Sequence, residues 1–146
     1  MPLWEKPMAI RIEIEATSTF RALSRLQRRA KTLDTPLRKS GLFMERETRL
    51  NFARESDPGG KPWTPLRPST LRRKRTRAIL RETGSLAASV MMQGPSSRRV
   101  RIVVGVAYGI YHQTGTVRMA QRKILGISED RHVPKIRRIF ERHFAE

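Results

Sequence analysis

The chain of 146 residues contains no cysteine, and this absence excludes several chemistries at once. Without thiols there are no disulfides, no thiolate zinc site and no cysteine nucleophile, and the lack fits a reducing compartment such as the cytoplasm. No run approaches the roughly 20 apolar residues that a membrane-spanning helix needs. The N-terminal segment MPLWEKPMAI lacks the continuous apolar core of a signal peptide. The sequence therefore predicts no membrane association, no secretion and no metal or other cofactor.

Acidic residues are also scarce. The chain has 13 Asp and Glu against 31 Lys and Arg, a formal charge of +18, so much of its surface must meet anions. Arginine supplies 24 of the basic residues and lysine 7, and a guanidinium group pairs with carboxylate or phosphate in a bidentate way that an ammonium group does not. Acidic protein surfaces are therefore as plausible as nucleic acid as binding partners. A chain with this charge adheres to nucleic acid in a salt-dependent manner whatever its biological partner is.

Hydrophobic periodicity divides the first third of the chain into a strand and two helices. Ile10, Ile12 and Ile14 alternate with charged residues, which is the pattern of a strand with one buried face. The period then changes to that of a helix. The pattern predicts a first helix over 18–31 and a second helix over 36–54.

The second predicted helix has more apolar surface than one core-facing stripe requires. Thr35 followed by Pro36 is a helix-start signal, with Thr as the cap. The main stripe comprises Leu37, Gly41, Met44, Thr48 and Phe52. Leu42, Phe43 and Leu50 widen it, and we expect another subunit to bury this second face.

A proline-rich loop follows. Residues 55–69 hold four prolines and two glycines, so neither a helix nor a central strand can pass through them. Trp63 within this loop either packs on its own domain or docks on a partner, and the sequence leaves both options open. Residues 67–81 then contain seven basic residues and no acid, which requires anions nearby. We expect residues 55–78 to form a long loop or arm.

The second half of the chain begins with a hairpin. Alternating apolar residues over 86–92 and 100–104 are separated by the turn-forming letters QGPSS, which predicts two antiparallel strands. A short helix over 107–113 is expected to stop at Gly115.

A last helix completes the pattern. Ser128 is its expected cap, with two acidic residues in the first turn. Pro134 implies either a kink or a start two or three residues before it. Together these elements predict one α+β domain over 1–146, in which a small antiparallel sheet packs with three main helices and the long proline-rich loop or arm.

The order of the less common residues between 57 and 126 narrows the function. A Pro/Asp/Gly turn precedes a Trp, a Pro-Leu pair, a Thr, a Lys, an Ile-Leu pair and Thr-Gly-x-Leu. A Tyr segment ending in His-Gln-x-Gly and an Arg segment ending in Leu-Gly follow. This order resembles the phage virion morphogenesis, or tail-completion, family over about half of the chain. The matching positions are Asp57, Gly59, Trp63, Pro65, Leu66, Thr70, Lys74, Ile79, Leu80, Thr83, Gly84, Leu86, Tyr108, His112, Gln113, Gly115, Arg122, Leu125 and Gly126.

The resemblance implies a structural virion protein that is assembled in the host cytoplasm as a homo-oligomeric ring at the junction of head and tail, with a hexamer as one option. Expected partners are further copies and the neck, connector and tail proteins, with no membrane and no small-molecule substrate. A ring uses two different faces of each subunit. The candidate contact residues are Trp63, Leu66, Phe43, Leu50, Tyr108 and His112. The candidate contacts to an anion, or to genomic DNA in the channel, are Arg72, Arg73, Lys74, Arg75 and Arg77.

Enzymatic chemistry finds little support in the sequence. The chain has three histidines, and it lacks a Walker loop, a Gly-x-Ser-x-Gly motif and a His-Glu-x-x-His motif. His112, between Tyr111 and Gln113, is expected to make a structural hydrogen bond to a backbone carbonyl. The main alternative to a virion protein is a small basic nucleic-acid-binding protein without sequence specificity. A weaker alternative is a toxin-type ribonuclease that uses His112.

Overall fold

The computed structural model describes residues 10–15, 33–96 and 98–145. In these ranges the strands are β1 (Ile10–Glu15), β2 (Val90–Ser96) and β3 (Arg99–Val104), and the helices are α1 (Asp34–Arg54), α2 (Pro68–Arg73), α3 (Ser85–Ala88), α4 (Gly109–Thr114) and α5 (Val133–Ala145). The predicted α+β class with a small antiparallel sheet is confirmed. The helix predicted over 18–31 lies outside the described residues. None of the described helices is both long and apolar enough to cross a membrane.

The sheet places β3 between β1 and β2, and both pairs are antiparallel. Ile102 of β3 lies opposite Ile12 on one side and Met92 on the other, so the register joins apolar positions across all three strands. Glu13 lies opposite Arg101, and the two side chains form an ion pair at 3.0 Å. The alternation predicted for β1 and for Val100, Ile102 and Val104 of β3 is thus confirmed, and Val103 is buried as well.

Helix α1 packs directly on the sheet through a glycine. A Cβ added to Gly41 would lie 2.5 Å from Met92 Sδ and 2.6 Å from Val100 Cγ2, so no larger residue fits without moving the helix away from the sheet. The predicted stripe is confirmed, because all of its members are buried: Leu37, Gly41, Met44, Thr48 and Phe52. Leu42 is exposed, whereas Phe43 and Leu50 are half-buried.

The start of α1 differs from the prediction. Leu33 occupies the cap position without a side-chain hydrogen bond, and Asp34 begins the first turn, where its charge favours the positive end of the helix dipole. Thr35 is therefore a helical residue and not the cap. Pro36 is tolerated because the N–H groups of a first turn have no acceptor within the helix.

The hairpin also begins later than the alternation predicted. Leu86 and Ala88 belong to the short helix α3 and not to a strand, and β2 starts at Val90. Gly84 lies before α3 with a φ of 78°, a left-handed conformation that glycine adopts freely. Its carbonyl accepts from the Ala88 N–H at 2.9 Å. The glycine thus starts a helical turn where the side-chain pattern alone indicates a strand.

The last helix begins at Val133, one residue before Pro134 and not two or three, and Ser128 does not cap it. Residues 128–132 form a separate turn, in which the His132 N–H donates to the Ser128 carbonyl and the Ser128 N–H donates to His132 Nδ1, both at 2.9 Å. The two acidic residues predicted for the first helical turn, Glu129 and Asp130, therefore lie in the turn before α5. Pro134 is accommodated because it occupies the first turn of the helix.

The hydrophobic core lies between α1, the inner face of the sheet and two loop segments. One loop segment supplies Trp63 and the other supplies Ile124 and Leu125, and all three are buried with Phe52 of α1. A smaller cluster joins Leu37, Val100 and Phe140 where α5 meets α1 and the sheet.

Candidate functional site

A cleft of about 570 Å³ opens beside this core. Four segments form its walls: the end of the proline loop with α2, the turn before α3, helix α4, and the loop that follows α4. The floor is apolar and the rim is polar and mostly basic. The lining residues are Thr64, Pro65, Leu66, Arg67, Thr70, Lys74, Leu80, Glu82, Thr83, Gly84, Leu86, Tyr108, His112, Arg118, Met119, Ala120 and Arg122. Many of the residues that carry the family resemblance therefore meet at one place.

Arg122 holds the proline loop against the wall of the cleft. Its guanidinium group donates to the carbonyl of Thr64 at 2.8 Å and to that of Pro65 at 3.1 Å. Burial lowers the pKa of Arg122 from its ordinary value, yet a guanidinium remains charged at any physiological pH. Lys74 faces the cleft from the end of α2 and donates to the Ala78 carbonyl at 2.7 Å. Both cations thus serve the local backbone while adding positive charge to the cleft.

Trp63 is part of the core and not a free docking side chain. Only 4% of its surface is exposed, its ring meets Phe52 edge-on at 5.6 Å between ring centroids, and its indole N–H donates to the Lys123 carbonyl at 2.9 Å. The loop itself folds tightly, since Trp63 N–H donates to the Glu55 carbonyl at 2.8 Å. Of the two options that the sequence leaves open for Trp63, the structure shows packing on its own domain, and Trp63→Ala would open a cavity in the core.

Gln113 fixes the buried segment that follows Arg122. Its side-chain oxygen accepts from the N–H groups of Ile124 and Leu125 at 2.8 and 3.0 Å, and its side-chain nitrogen donates to the Leu125 carbonyl at 2.7 Å. One amide group thus satisfies three backbone groups of a buried segment. The sequence pattern does not single out Gln113 as a site residue, although its place next to His112 in the family pattern is a signal for it.

His112 and Tyr108 lie one turn apart on α4 and both face the cleft. Their rings meet edge-on at 6.3 Å between centroids. Burial lowers the pKa of His112 below its usual value, and the charges of Arg122 and Lys74 lower it further. His112 is therefore neutral at pH 7. Its Nδ1 is buried and has no hydrogen-bond partner among the described residues, so the expected bond to a backbone carbonyl is not made by that nitrogen.

The predicted basic cluster divides between the cleft and its surroundings. Lys74 lines the cleft, whereas Arg72, Arg73, Arg75 and Arg77 are exposed outside it. Arg67 and Arg118, which we did not select, are exposed at the rim of the cleft itself. Sequence clustering identified the charged region, but chain folding decides which cations share one concave surface. In the described part of the chain, no group of side chains could hold a metal ion.

The remaining predicted contact residues lie in two places. Leu66 is half-buried and Tyr108 is 45% exposed, and both line the cleft. Phe43 and Leu50 are half-buried on α1, where the Phe43 ring meets that of His132 edge-on at 6.1 Å. The structure brings Leu66, Tyr108 and His112 together and leaves Phe43 and Leu50 apart from them.

Exposed apolar side chains concentrate next to the cleft. Of the nine large hydrophobic residues that are exposed in the described ranges, six lie between residues 108 and 127, which we name the apolar segment. They are Tyr108, Ile110, Tyr111, Val117, Met119 and Ile127. Val117 is fully exposed. Scattered apolar residues are normal on a surface, whereas contiguous apolar patches are typical of contact regions.

Comparison with known proteins gives one match. The model of the phage virion morphogenesis family matches residues 14–145, which span the sheet, the core and the cleft. No curated protein and no solved structure shows a significant match.

Proposed function

The chain belongs to the phage virion morphogenesis family, and we propose that it acts at the head–tail junction, where several copies form a ring that completes the tail or joins it to the connector on the head. Membership makes it a component of virion assembly. The position at the neck and the ring are our proposal, and so are its partners, which would be other copies and the neighbouring neck and tail proteins.

The apolar segment beside the cleft is the observation that supports this proposal best. Isolated soluble domains seldom leave six large apolar side chains exposed within 20 residues of chain. Subunit contact would remove this surface from water, at roughly 25 cal/mol for each Å² of apolar area. A protein that waits in solution and then assembles needs such a surface.

A closed ring also requires a second, different face on each subunit. Helix α1 offers one, because Leu42 is exposed and Leu50 is only half-buried on a surface that also carries Arg46 and Arg49. Trp63 is no longer a candidate for this face. The cleft is another candidate, because its rim presents four cations and its floor is apolar.

Disruption of the gene in the source phage, followed by electron microscopy of lysates, tests the proposed position. We expect DNA-filled heads separated from unattached or aberrant tails, and we expect the wild-type gene supplied in trans to restore joined particles. Normal joined particles from the disrupted phage would contradict the proposal.

A nucleic-acid-binding role is a second candidate, which the exposed side chains of Arg72, Arg73, Arg75 and Arg77 favour. Four clustered guanidinium groups would neutralise phosphates with a strong dependence on salt. Replacing these four residues with Gln separates the two functions. Loss of DNA binding at physiological salt with normal particle assembly would leave DNA contact secondary, whereas parallel loss of both would place DNA contact within the assembly function.

We propose a structural role without catalysis. The family is one of virion morphogenesis proteins. A ribonuclease would need His112 to exchange protons with its substrate. His112→Gln should therefore leave RNA in expressing cells as intact as the wild-type protein leaves it, and a difference in RNA degradation between the two would contradict this assignment.

A further inference from the structure

Most acidic side chains of the described chain are occupied within the monomer. Glu13 pairs with Arg101, Glu45 with Arg49, Glu47 with Arg54 and Glu55 with Arg81. In addition, the carboxylates of Asp57 and Glu82 accept from the backbone N–H groups of Lys61 and Arg75. A protein with this excess of cations thus uses its few acids internally.

Residues 127–130, which we name the acidic turn, are an exception. Glu129 and Asp130 are adjacent and exposed, and within residues 10–15, 33–96 and 98–145 neither makes an ion pair. Ile127 beside them is 44% exposed. An apolar side chain and two carboxylates therefore project together from one short piece of chain.

The acidic turn is held in a fixed shape. Ser128 N–H donates to His132 Nδ1, Ser128 Oγ accepts from the Arg131 N–H at 3.3 Å, and the Arg131 guanidinium reaches the Pro58 carbonyl at 3.4 Å. A segment that is already ordered loses little conformational entropy when it binds. The turn is thus suited to insertion into a partner surface.

The cleft has the complementary chemistry. Arg67, Lys74, Arg118 and Arg122 line it against a single carboxylate, that of Glu82. Its floor includes the apolar residues Leu66, Leu80 and Leu86. An occupant should therefore present an apolar side chain next to negative charge. A DNA duplex is too wide to enter a concave space of about 570 Å³, whereas a turn of a protein chain can.

We infer that the cleft of one subunit receives the acidic turn of the next subunit. The two surfaces share no residue, as a head-to-tail contact between identical copies requires. Ile127 would cover the apolar floor, and Glu129 and Asp130 would meet Arg67 and Arg118 at the rim. This inference rests on the proposed ring and names the contact that closes it.

Paired charge reversals test the inference. The turn variant carries Glu129→Lys and Asp130→Lys, and the cleft variant carries Arg67→Glu and Arg118→Glu. Each variant supplied alone to the gene-disrupted phage should lower the yield of joined particles by about tenfold or more, because like charges then meet across the contact. Supplied together, the two variants should restore the yield, since alternating copies in a ring of even number, such as a hexamer, place opposite charges at every contact.

Asp34 and Glu141 provide the matched control. Both are exposed acids away from the acidic turn, and Asp34→Lys with Glu141→Lys changes the net charge by the same amount as the turn variant. The control should assemble at the wild-type yield. A yield as low as that of the turn variant would show that net charge matters and not the contact, and this result would overturn the inference.

The absence of cysteine permits a direct test as well. In a chain with Arg118→Cys and Asp130→Cys, every disulfide must join introduced residues. Particles treated with a mild oxidant should yield a ladder of linked subunits on a non-reducing gel, whereas each single substitution should yield at most dimers. A chain with Arg118→Cys and Glu141→Cys should give no ladder.

The outcomes for the inference and for the proposed function are separate. Joined particles that form normally without the gene contradict the proposed function. Particles that require the gene, yet form at full yield with the turn and cleft variants and give no ladder with the cysteine pair, contradict only the contact between cleft and acidic turn.

Discussion

The buried loops around Trp63 and the cleft around Lys74 are formed by the same two stretches of chain, residues 63–86 and 108–125. The two regions differ in how far their polar groups find partners within the monomer. Around Trp63, polar groups find partners within the monomer, as the indole bond to Lys123 and the three bonds of Gln113 show. Around the cleft, two arginines and a tyrosine are exposed, and a histidine nitrogen has no hydrogen-bond partner within residues 10–15, 33–96 and 98–145. The first region fixes the shape of the second.

This difference separates the residues of the family pattern into two groups. Trp63, Ile79, Leu125 and Gln113 support the fold, because each is buried or bonds to buried backbone. A different set faces the cleft: Leu66, Thr70, Lys74, Tyr108, His112 and Arg122. Substitutions in the first group should lower stability, and substitutions in the second should act on assembly. The predictions that follow test this division, from the largest effect on stability to the smallest.

Trp63→Ala should lower the free energy of unfolding by about 3–5 kcal/mol, since it removes a large buried ring and its hydrogen bond. Urea unfolding followed by circular dichroism measures this change. Trp63→Phe is the matched control, because it keeps an aromatic ring against Phe52 while it loses the N–H donor and a smaller part of the buried volume. It should cost clearly less. A loss below about 1 kcal/mol for Trp63→Ala would place Trp63 outside the core and break the comparison.

Gln113→Ala should cost about 2–3 kcal/mol, because the N–H groups of Ile124 and Leu125 would lose their acceptor in a buried place. Amide hydrogen exchange should accelerate at these two residues before the rest of the domain. Gln121→Ala is the control of the same residue type, since Gln121 is exposed and donates only to the Gln113 carbonyl at 3.0 Å. Equal losses for both variants would show that the amide of Gln113 has no special role.

The sequence predicted a helix or strand correctly where a single short-range signal, such as hydrophobic periodicity, determined that element. The buried stripe of α1 and the alternation of β3 follow from periodicity and were confirmed. The strand expected at Leu86 failed because the conformation of Gly84 overrides the side-chain pattern. The role of Trp63 could not be decided from the sequence, because its indole N–H donates to the carbonyl of Lys123, which lies 60 positions further along the chain. Hydrophobic periodicity gives no information about contacts between distant parts of the chain. For the same reason, the sequence could not assign Arg67 and Arg118 to one cleft.

Stability should fall as the pH drops below about 6.5, the pKa of histidine in an unfolded chain. Burial lowers the pKa of His132 in the folded protein, Glu47 partly opposes this, and Arg131 and Arg54 reinforce it. The unfolded state therefore binds the proton more readily, so protonation favours unfolding, by up to about 1.4 kcal/mol per pH unit for each such group. The contribution is complete above this pH and is lost progressively as the pH falls towards the folded pKa.

His132→Asn isolates this contribution, because an amide oxygen can accept from the Ser128 N–H but does not titrate. The difference in unfolding free energy between wild type and variant should shrink as the pH falls from 7.5 to about 5.5. A constant difference over this range would show that His132 is not protonated on unfolding.

The smallest effect on stability is expected from the apolar segment. Ile110→Ser with Val117→Ser should change the free energy of unfolding by no more than about 0.5 kcal/mol per residue, because both side chains are exposed. The same variant should lower the yield of joined particles by about tenfold or more if other subunits cover this surface. Met91→Ser, at an exposed position on β2, should change neither quantity. Full particle yield from the double variant would remove Ile110 and Val117 from the interface and leave the cleft, which includes Tyr108 and Met119, to account for assembly. A variant that is stable but does not assemble would support the division between residues that stabilise the fold and residues that act in assembly, because this surface would then contribute to particle assembly and not to stability.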